Sequence, residues 1–156
     1  MQKNKTHIMN SVVLADDDPD HGHLFQIILK QVDPSKKLII VRDGEELLQL
    51  LQTDIPDLLF LDLNMPCKNG FECLIEIRQK PDLKTLPIVV YSSSTQMTDI
   101  QRSYIHNADL YMVKPFNSVH LRNALESILK MEWIAHQPNQ KFYFINNRFV
   151  PFTAQA

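Results

Sequence analysis

Short apolar runs alternate along this chain with segments in which apolar residues recur at helical spacing. Five of the runs are continuous, and each stops abruptly at polar or turn residues. This pattern is typical of strands that are buried on both faces. It predicts strands over residues 11–15, 38–41, 58–61, 88–91 and 110–113.

A helical pattern follows each predicted strand. Asp18 before Pro19 is a cap followed by a first-turn proline, which predicts the start of the first helix. The second helix is expected to open at Asp43-Gly44 and the third at Gly70. The fourth and fifth helices are predicted over 95–106 and 118–133.

Five alternations of strand and helix predict an α/β domain whose parallel sheet is covered on both faces. In such folds the ligand crevice lies beyond the carboxyl ends of the strands, where the strand order reverses. The residues that follow each strand are therefore the first candidates for function.

Charged and hydroxyl side chains stand at four of these strand ends: Asp16-Asp17-Asp18, Asp62, Ser92 and Lys114. Crowded carboxylates repel one another unless a cation joins them, and oxygen-only ligands favour a hard ion such as Mg²⁺. A lysine ammonium and a serine hydroxyl suit the oxygens of a phosphoryl group. Each residue alone would fit a surface loop, a cap or a turn. Their coincidence favours phosphoryl transfer with an aspartate nucleophile.

Composition removes several other functions. The chain has only three glycines, far apart at Gly22, Gly44 and Gly70, so it has neither a Rossmann fingerprint nor a P-loop. All 18 acids lie within residues 12–133 beside 12 of the 16 bases, a net charge of −6 for that segment, which argues against a nucleic-acid partner.

Two cysteines are too few for a disulfide framework or a zinc cluster, which indicates reduced thiols. With no signal peptide and no run of about 18 apolar residues, the chain is expected to be cytoplasmic, with no membrane partner.

The chain resembles the receiver domain of two-component response regulators. The matching segments are residues 12–20, 57–66 with Gly70, 87–94 and 111–116. The resemblance spans residues 10–133 and indicates a stand-alone receiver domain over 11–133 after an N-terminal tail of residues 1–10. It implies a flavodoxin-like, doubly wound (βα)5 fold with strand order 2-1-3-4-5.

The resemblance also implies roles for the strand-end residues. Asp62 matches the phosphoacceptor, which receives the phosphoryl group from a phosphohistidine of a sensor histidine kinase or histidine phosphotransfer protein. Asp16, Asp17, Asp62 and the backbone carbonyl of Asn64 match the Mg²⁺ ligands, with Asp16 acting through water. Lys114 matches the lysine that pairs with a phosphoryl oxygen.

A second set of positions matches the family's switch. Ser92 matches the hydroxyl that follows the phosphoryl group, and Tyr111 the aromatic that then packs inward. Asn64 and Ser94 match positions that tune hydrolysis of the aspartyl phosphate, which is the protein's only expected catalytic activity. The bond between Lys114 and Pro115 is expected to be cis. The resemblance implies that the output is a repacked face of the fourth helix, fifth strand and fifth helix, which binds a protein target.

Three features depart from a simple match. Asn107 stands where the family usually has glycine, and asparagine tolerates the positive φ expected there. Ser92 replaces the commoner threonine. His21 and His23 form an H-x-H beside the acids; we expect surface residues near the site mouth, with a metal site as the alternative, because the two should lie on different faces of the helix.

Two rival functions remain at the level of sequence. A phosphatase of the haloacid-dehalogenase kind would use Asp16-Asp17-Asp18 as its D-x-D motif, although Asp20 stands where that motif has threonine or valine. A pseudo-receiver that ignores phosphate is the other. The complete acid, serine and lysine set argues against it.

Residues 134–156 hold five of the 13 aromatic residues and too few residues for a DNA-binding output domain. Residues 141–145 and 148–152 flank Asn146-Asn147, a pair that forms tight turns, so we predict a β-hairpin. An isolated hairpin is marginal in water and needs a surface to cover. The surface could be its own domain or, in a homodimer arm, another chain; disorder is the third outcome.

Overall fold

The computed structural model describes residues 9–131 and 141–152. These residues form one seven-stranded sheet with helices on both faces. The strands are β1 (Ser11–Ala15), β2 (Lys37–Val41), β3 (Leu58–Leu61), β4 (Ile88–Ser92), β5 (Leu110–Val113), β6 (Lys141–Ile145) and β7 (Arg148–Phe152). The helices are α1 (Pro19–Val32), α2 (Gly44–Leu51), α3 (Gly70–Gln79), α4 (Met97–Ile105) and α5 (Ser118–Lys130). Strands β1 to β5 are parallel in the order 2-1-3-4-5, which confirms the predicted α/β fold.

Short polar side chains start the helices just beyond the strands. Asp18, Asp43, Asn69 and Asn117 each accept a hydrogen bond from a backbone N–H in the first turn of the helix that follows. Helix α4 instead begins at Met97, two residues later than predicted. Gln96, just before it, has extended backbone angles, with φ of −69° and ψ of 126°.

Helix α5 ends at Lys130, three residues before its predicted end at about residue 133. Met131 already has extended backbone angles, with φ of −66° and ψ of 140°. Residue 133 itself lies outside the described residues, as do the calls on residues 1–8, 132–140 and 153–156.

The core has two halves, one on each face of the sheet. Helices α2, α3 and α4 pack on one face, and α1 and α5 pack on the other. On the second face Phe25 is fully buried against Phe60 in an edge-to-face contact, with ring centroids 4.9 Å apart. Burying a side chain of this size stabilises the fold by about 1.5–3 kcal/mol. Both faces of β1 and β3 are covered, so the residues that follow these strands are held rigidly.

Asn107 ends α4 with a φ of 67°, as predicted. The N–H of Ala108 donates to the carbonyl of Ser103 at 3.0 Å, and that of Asn107 donates to the carbonyl of Tyr104 at 3.0 Å. These two bonds are a Schellman motif, in which the residue with positive φ satisfies the last carbonyls of the helix.

The predicted hairpin is present and packs on its own domain. Strands β6 and β7 are antiparallel, and Asn146 and Asn147 between them have φ values of 51° and 62°. Two successive positive φ values are those of a type I′ turn, which matches the twist of the flanking strands. Strand β6 pairs in parallel with β5 and so extends the sheet beyond the five predicted strands.

Candidate functional site

Three carboxylates meet at the carboxyl ends of β1 and β3. One oxygen from each of Asp16, Asp17 and Asp62 lies within 4.8 Å of the others. Asp16 and Asp62 are buried, at 1% and 4% exposure, whereas Asp17 is exposed. The backbone N–H of Asp62 donates to the carbonyl of Ala15 at 2.9 Å, which continues the strand pairing into the site. The positions of the acids therefore follow from the sheet itself.

Lys114 brings a cation between the two buried acids. Its ammonium lies 2.7 Å from Asp16 Oδ2 and donates to Asp62 Oδ2 at 3.1 Å. The Lys114 backbone N–H donates to the carbonyl of Ser92 at 2.8 Å, so β4 and β5 position the side chain. One ammonium against three carboxylates leaves the cluster with an excess of negative charge.

The electrostatics of the cluster match a metal-binding site. Burial raises the pKa of Asp62, the charge of Asp16 raises it further, and Lys114 opposes both effects. Asp16 Oδ2 accepts no well-aligned hydrogen bond within the described residues, despite its short distance to Lys114. The Lys114 ammonium pairs with this oxygen, but its single charge does not balance three carboxylates, so a further cation would stabilise the cluster. The all-oxygen donor set suits a hard divalent ion.

Both oxygens of the Asp62 carboxylate are held. The backbone N–H of Asn64 donates to Asp62 Oδ1 at 3.2 Å, on the side opposite the Lys114 bond. Gly70 starts α3 directly against this segment, and a Cβ at Gly70 would lie 2.2 Å from the Asp62 carbonyl oxygen. Only glycine permits this approach, which accounts for its place in the sequence motif.

The residues matched to the switch lie together where β4 ends and the loop after it passes the side chain of β5 residue Tyr111. Ser92 is buried, and its hydroxyl accepts the backbone N–H of Ser94 at 3.1 Å. Tyr111 is fully buried in the inward position, and its hydroxyl donates to the carbonyl of Ser94 at 2.8 Å. Burial raises the pKa of Tyr111, so the phenol keeps its proton.

Ser94 is also tied to the start of α4. Its hydroxyl donates to Asp99 Oδ2 at 2.5 Å and accepts the backbone N–H of Gln96 at 3.2 Å. The loop after β4 therefore connects the site to α4 through a single side chain.

His21 belongs to the site, although we expected it only near the site mouth. Its Nδ1 lies 3.0 Å from the Lys114 ammonium and 3.6 Å from Asp16 Oδ2. Because an ammonium only donates, Nδ1 is the accepting nitrogen here. Pro19 starts α1 and places His21 in its first turn, but the sequence does not show that this turn faces Lys114. His23 is exposed, and within the described residues the only metal-binding group found is the acidic cluster.

The expected cis bond before Pro115 is wrong. The described residues contain no cis peptide bond, so the bond between Lys114 and Pro115 is trans. Trans is the lower-energy form of such bonds by about 0.5–1 kcal/mol, and Lys114 reaches both buried acids from it.

The described ranges contain no helix with the length and apolar character of a membrane span.

Comparisons with known proteins agree with this geometry. A family model described as the response regulator receiver domain matches residues 12–126. Response regulator Rcp1 of Synechocystis sp. is 36% identical over 124 residues, which cover 75% of this chain and 84% of Rcp1.

Two solved structures are similar in fold. The Mn²⁺-bound form of Rcp1 has a TM-score of 0.70 and 35% identity, and the match covers 76% of this chain and 91% of that one. The phosphorylated cyanobacterial phytochrome response regulator RcpA has a TM-score of 0.71 and 33% identity, and the match covers 76% and 90%. The chain thus belongs to the response regulator receiver domain family.

Proposed function

We propose that this protein is a phosphoacceptor in two-component signalling and that Asp62 receives the phosphoryl group. The donor is a phosphohistidine on a sensor histidine kinase or histidine phosphotransfer protein. The observation that supports this most strongly is the placement of the Asp62 carboxylate: Asn64 holds one oxygen, and Lys114 the other. A cytoplasmic location belongs to the same proposal.

The proposed reaction is an in-line displacement. An Asp62 carboxylate oxygen attacks the phosphorus and forms a P–O bond, while the P–N bond to the donor histidine breaks. The electron pair of that bond returns to the imidazole nitrogen, which takes up a proton. Lys114 then pairs with a phosphoryl oxygen. Water later hydrolyses the acyl phosphate, and Asn64 and Ser94 tune the rate of that step.

Mg²⁺ fits the site. Asp16, Asp17, Asp62 and the backbone carbonyl of Asn64 would hold it. When bound, the ion neutralises charge that builds up on the phosphoryl oxygens.

The proposed output follows from charge. Phosphorylation adds about −1.5 to −2 charges near neutral pH. The Ser92 hydroxyl and Lys114 meet the new oxygens, and Tyr111 occupies the inward position beside Ser92. The face formed by α4, β5 and α5 then changes its affinity for a protein target. The haloacid-dehalogenase alternative loses its support, because the family model matches the receiver domain over most of the chain.

The test is phosphorylation by acetyl phosphate, followed by intact-mass measurement. With Mg²⁺ we expect the wild-type protein to gain the mass of one phosphoryl group, and with excess EDTA to gain none. Asp62→Asn should gain none under either condition. Asp82→Asn, which changes an exposed aspartate outside the site, should behave as the wild type does. A phosphoryl group on Asp62→Asn would contradict the proposal.

A further inference from the structure

The C-terminal hairpin (β6, β7 and their turn) covers the face from which the proposed signal leaves. We call the outer surface of α4, β5 and α5 the switch face. Strand β6 pairs in parallel with β5, with Tyr143 beside Tyr111 and Phe144 beside Met112. The chain's own hairpin therefore takes the edge of β5 that a partner would otherwise meet.

Tyr104 links α4, β5 and the hairpin through one hydroxyl. The backbone N–H of Tyr111 donates to the Tyr104 oxygen at 3.1 Å, and the Tyr104 hydroxyl donates to the carbonyl of Phe142. The Tyr104 ring also packs against Phe152 of β7, with centroids 5.0 Å apart. Burial raises the pKa of Tyr104, which keeps the hydroxyl protonated as this arrangement requires.

The hairpin also contacts α5 and the loop that carries the site lysine. Asn123 of α5 donates from Nδ2 to Asn147 Oδ1 at 3.1 Å. A small cavity lies between the hairpin turn, at Asn146 and Asn147, and the loop at Lys114 and Pro115. The hairpin thus contacts α4, β5 and α5 and lies near the loop that carries Lys114.

Side chains of the hairpin continue both halves of the core. Tyr143, Ile145 and Phe152 pack against the half that contains Tyr111. Phe144 joins the other half and is only 3% exposed. Burial of an aromatic side chain to this degree stabilises the docked hairpin. An isolated hairpin, which is marginal in water, lacks this stabilisation.

The packing has a direct consequence for Tyr111. On an open edge strand, a tyrosine ring can turn outwards past the edge into solvent. Here β6 removes that edge, and Tyr143 stands beside Tyr111 on the same side of the sheet. The ring can leave its inward position only if the hairpin moves.

We propose that the hairpin is a built-in ligand of the switch face, which holds Tyr111 inward and so strengthens binding of the phosphoryl group at Asp62. The inference rests on the proposed function, in which inward Tyr111 accompanies phosphorylation. A ligand that stabilises one of two conformational states raises the affinity of the protein for any other ligand that prefers that state, and the effect is reciprocal. Hairpin docking and phosphoryl binding therefore strengthen each other, and an external partner competes with the hairpin for the switch face.

The test uses beryllofluoride, a mimic of the phosphoryl group, with Mg²⁺ and full-length protein. Phe144→Ala removes a buried hairpin anchor on the face of the sheet away from Tyr111. We expect it to weaken beryllofluoride binding, measured by calorimetry, by roughly five-fold or more, the lower end of ordinary coupling between sites. Arg148→Ala changes an exposed hairpin residue and should leave the affinity unchanged.

A second measurement uses only the wild-type protein, so it stands even if Phe144→Ala fails to fold. Saturation with beryllofluoride should slow hydrogen exchange at the β6 amides of residues 142–145. Unchanged exchange there, or equal affinities of Phe144→Ala and Arg148→Ala, would overturn the coupling and leave Asp62 as phosphoacceptor. If wild-type protein bound no beryllofluoride, both proposals would fall. A coupling lost on dilution, together with a dimer mass by light scattering, would overturn the intramolecular assignment.

Discussion

Gly70 lies where α3 begins against the phosphoacceptor, and an alanine there should displace Asp62. The added Cβ would lie 2.2 Å from the carbonyl oxygen of Asp62, 2.9 Å from its carbonyl carbon and 2.7 Å from Leu63 Cα. All three are backbone atoms, so no side chain can rotate out of the way. None of the three glycines has a positive φ, so the clash rather than the backbone conformation decides the outcome.

The size of the effect follows from the distance. Real Cβ contacts below 3.0 Å are essentially absent, so the two segments must separate by at least 0.8 Å. Overpacking of this kind costs about 1–3 kcal/mol of stability. A displacement of about 1 Å at a reacting group can reduce the rate about 100-fold. Gly70→Ala should therefore lower both stability and the rate of phosphorylation, the rate more severely.

The assay pairs urea denaturation with the rate of phosphorylation by acetyl phosphate and Mg²⁺, followed by intact mass. Gly22→Ala is the matched control, because its Cβ would meet only the end of the Ile40 side chain at 3.4 Å. In the interior of α1 it should raise stability by about 0.5–1 kcal/mol and leave the rate unchanged. If Gly70→Ala matched Gly22→Ala in both stability and rate, the close approach of α3 to Asp62 would be refuted.

Three further predictions concern the stability of the fold and the reactivity of its two cysteines. Asn107→Ala should cost about 1–2 kcal/mol in urea denaturation because alanine is strained at positive φ, whereas Asn107→Gly should not; equal losses would contradict the conformational explanation. Arg78 donates to the carbonyls of Leu83, Leu86 and Asn107, so Arg78→Met should cost about 3 kcal/mol in the same assay, and a loss near zero would refute its role. Burial raises the pKa of Cys73 to about 11, so its side chain stays a thiol at pH 8. Iodoacetamide should therefore label only the exposed Cys67 of the folded protein, which mass mapping can show. Labelling of Cys73 in the absence of urea would contradict this prediction.

The strands were the most predictable part of the fold. Because both faces of the sheet are covered, each strand is a continuous apolar run that differs sharply from its flanks. The observed β1, β3 and β5 match their predicted limits, and β2 and β4 are one residue longer. Helix ends depend instead on single hydrogen bonds. Helix α4 begins only at Met97 because Gln96 has extended backbone angles, and that local conformation leaves no periodic signal in the sequence.

The site was predictable in kind because the carboxyl ends of parallel strands meet at one edge of the sheet. That rule alone predicts that Asp16, Asp62 and Lys114 lie close together. The contact of His21 with Lys114 was not predictable, because it depends on the rotation of α1 against the sheet. Helical spacing gives the relation of two residues on one helix but not their relation to another element.

The hairpin shows the same division between local and long-range information. Its turn is local: two asparagines between aromatic segments predict a type I′ turn from the sequence. Its docking site is not set by local sequence. The parallel pairing of β6 with β5 depends on how side chains 30 or more residues apart fit together. The sequence therefore did not show which surface the hairpin covers. In the structure that surface is the switch face.

Identification of the phosphorylated residue tests the central claim most directly. The protein is treated with acetyl phosphate and Mg²⁺, and the acyl phosphate is then reduced with borohydride, which converts a phosphorylated aspartate to homoserine. Peptide mass mapping should find homoserine at position 62, and none at Asp16 or Asp17. Homoserine at another aspartate, with position 62 unmodified, would contradict the assignment of Asp62 as the phosphoacceptor.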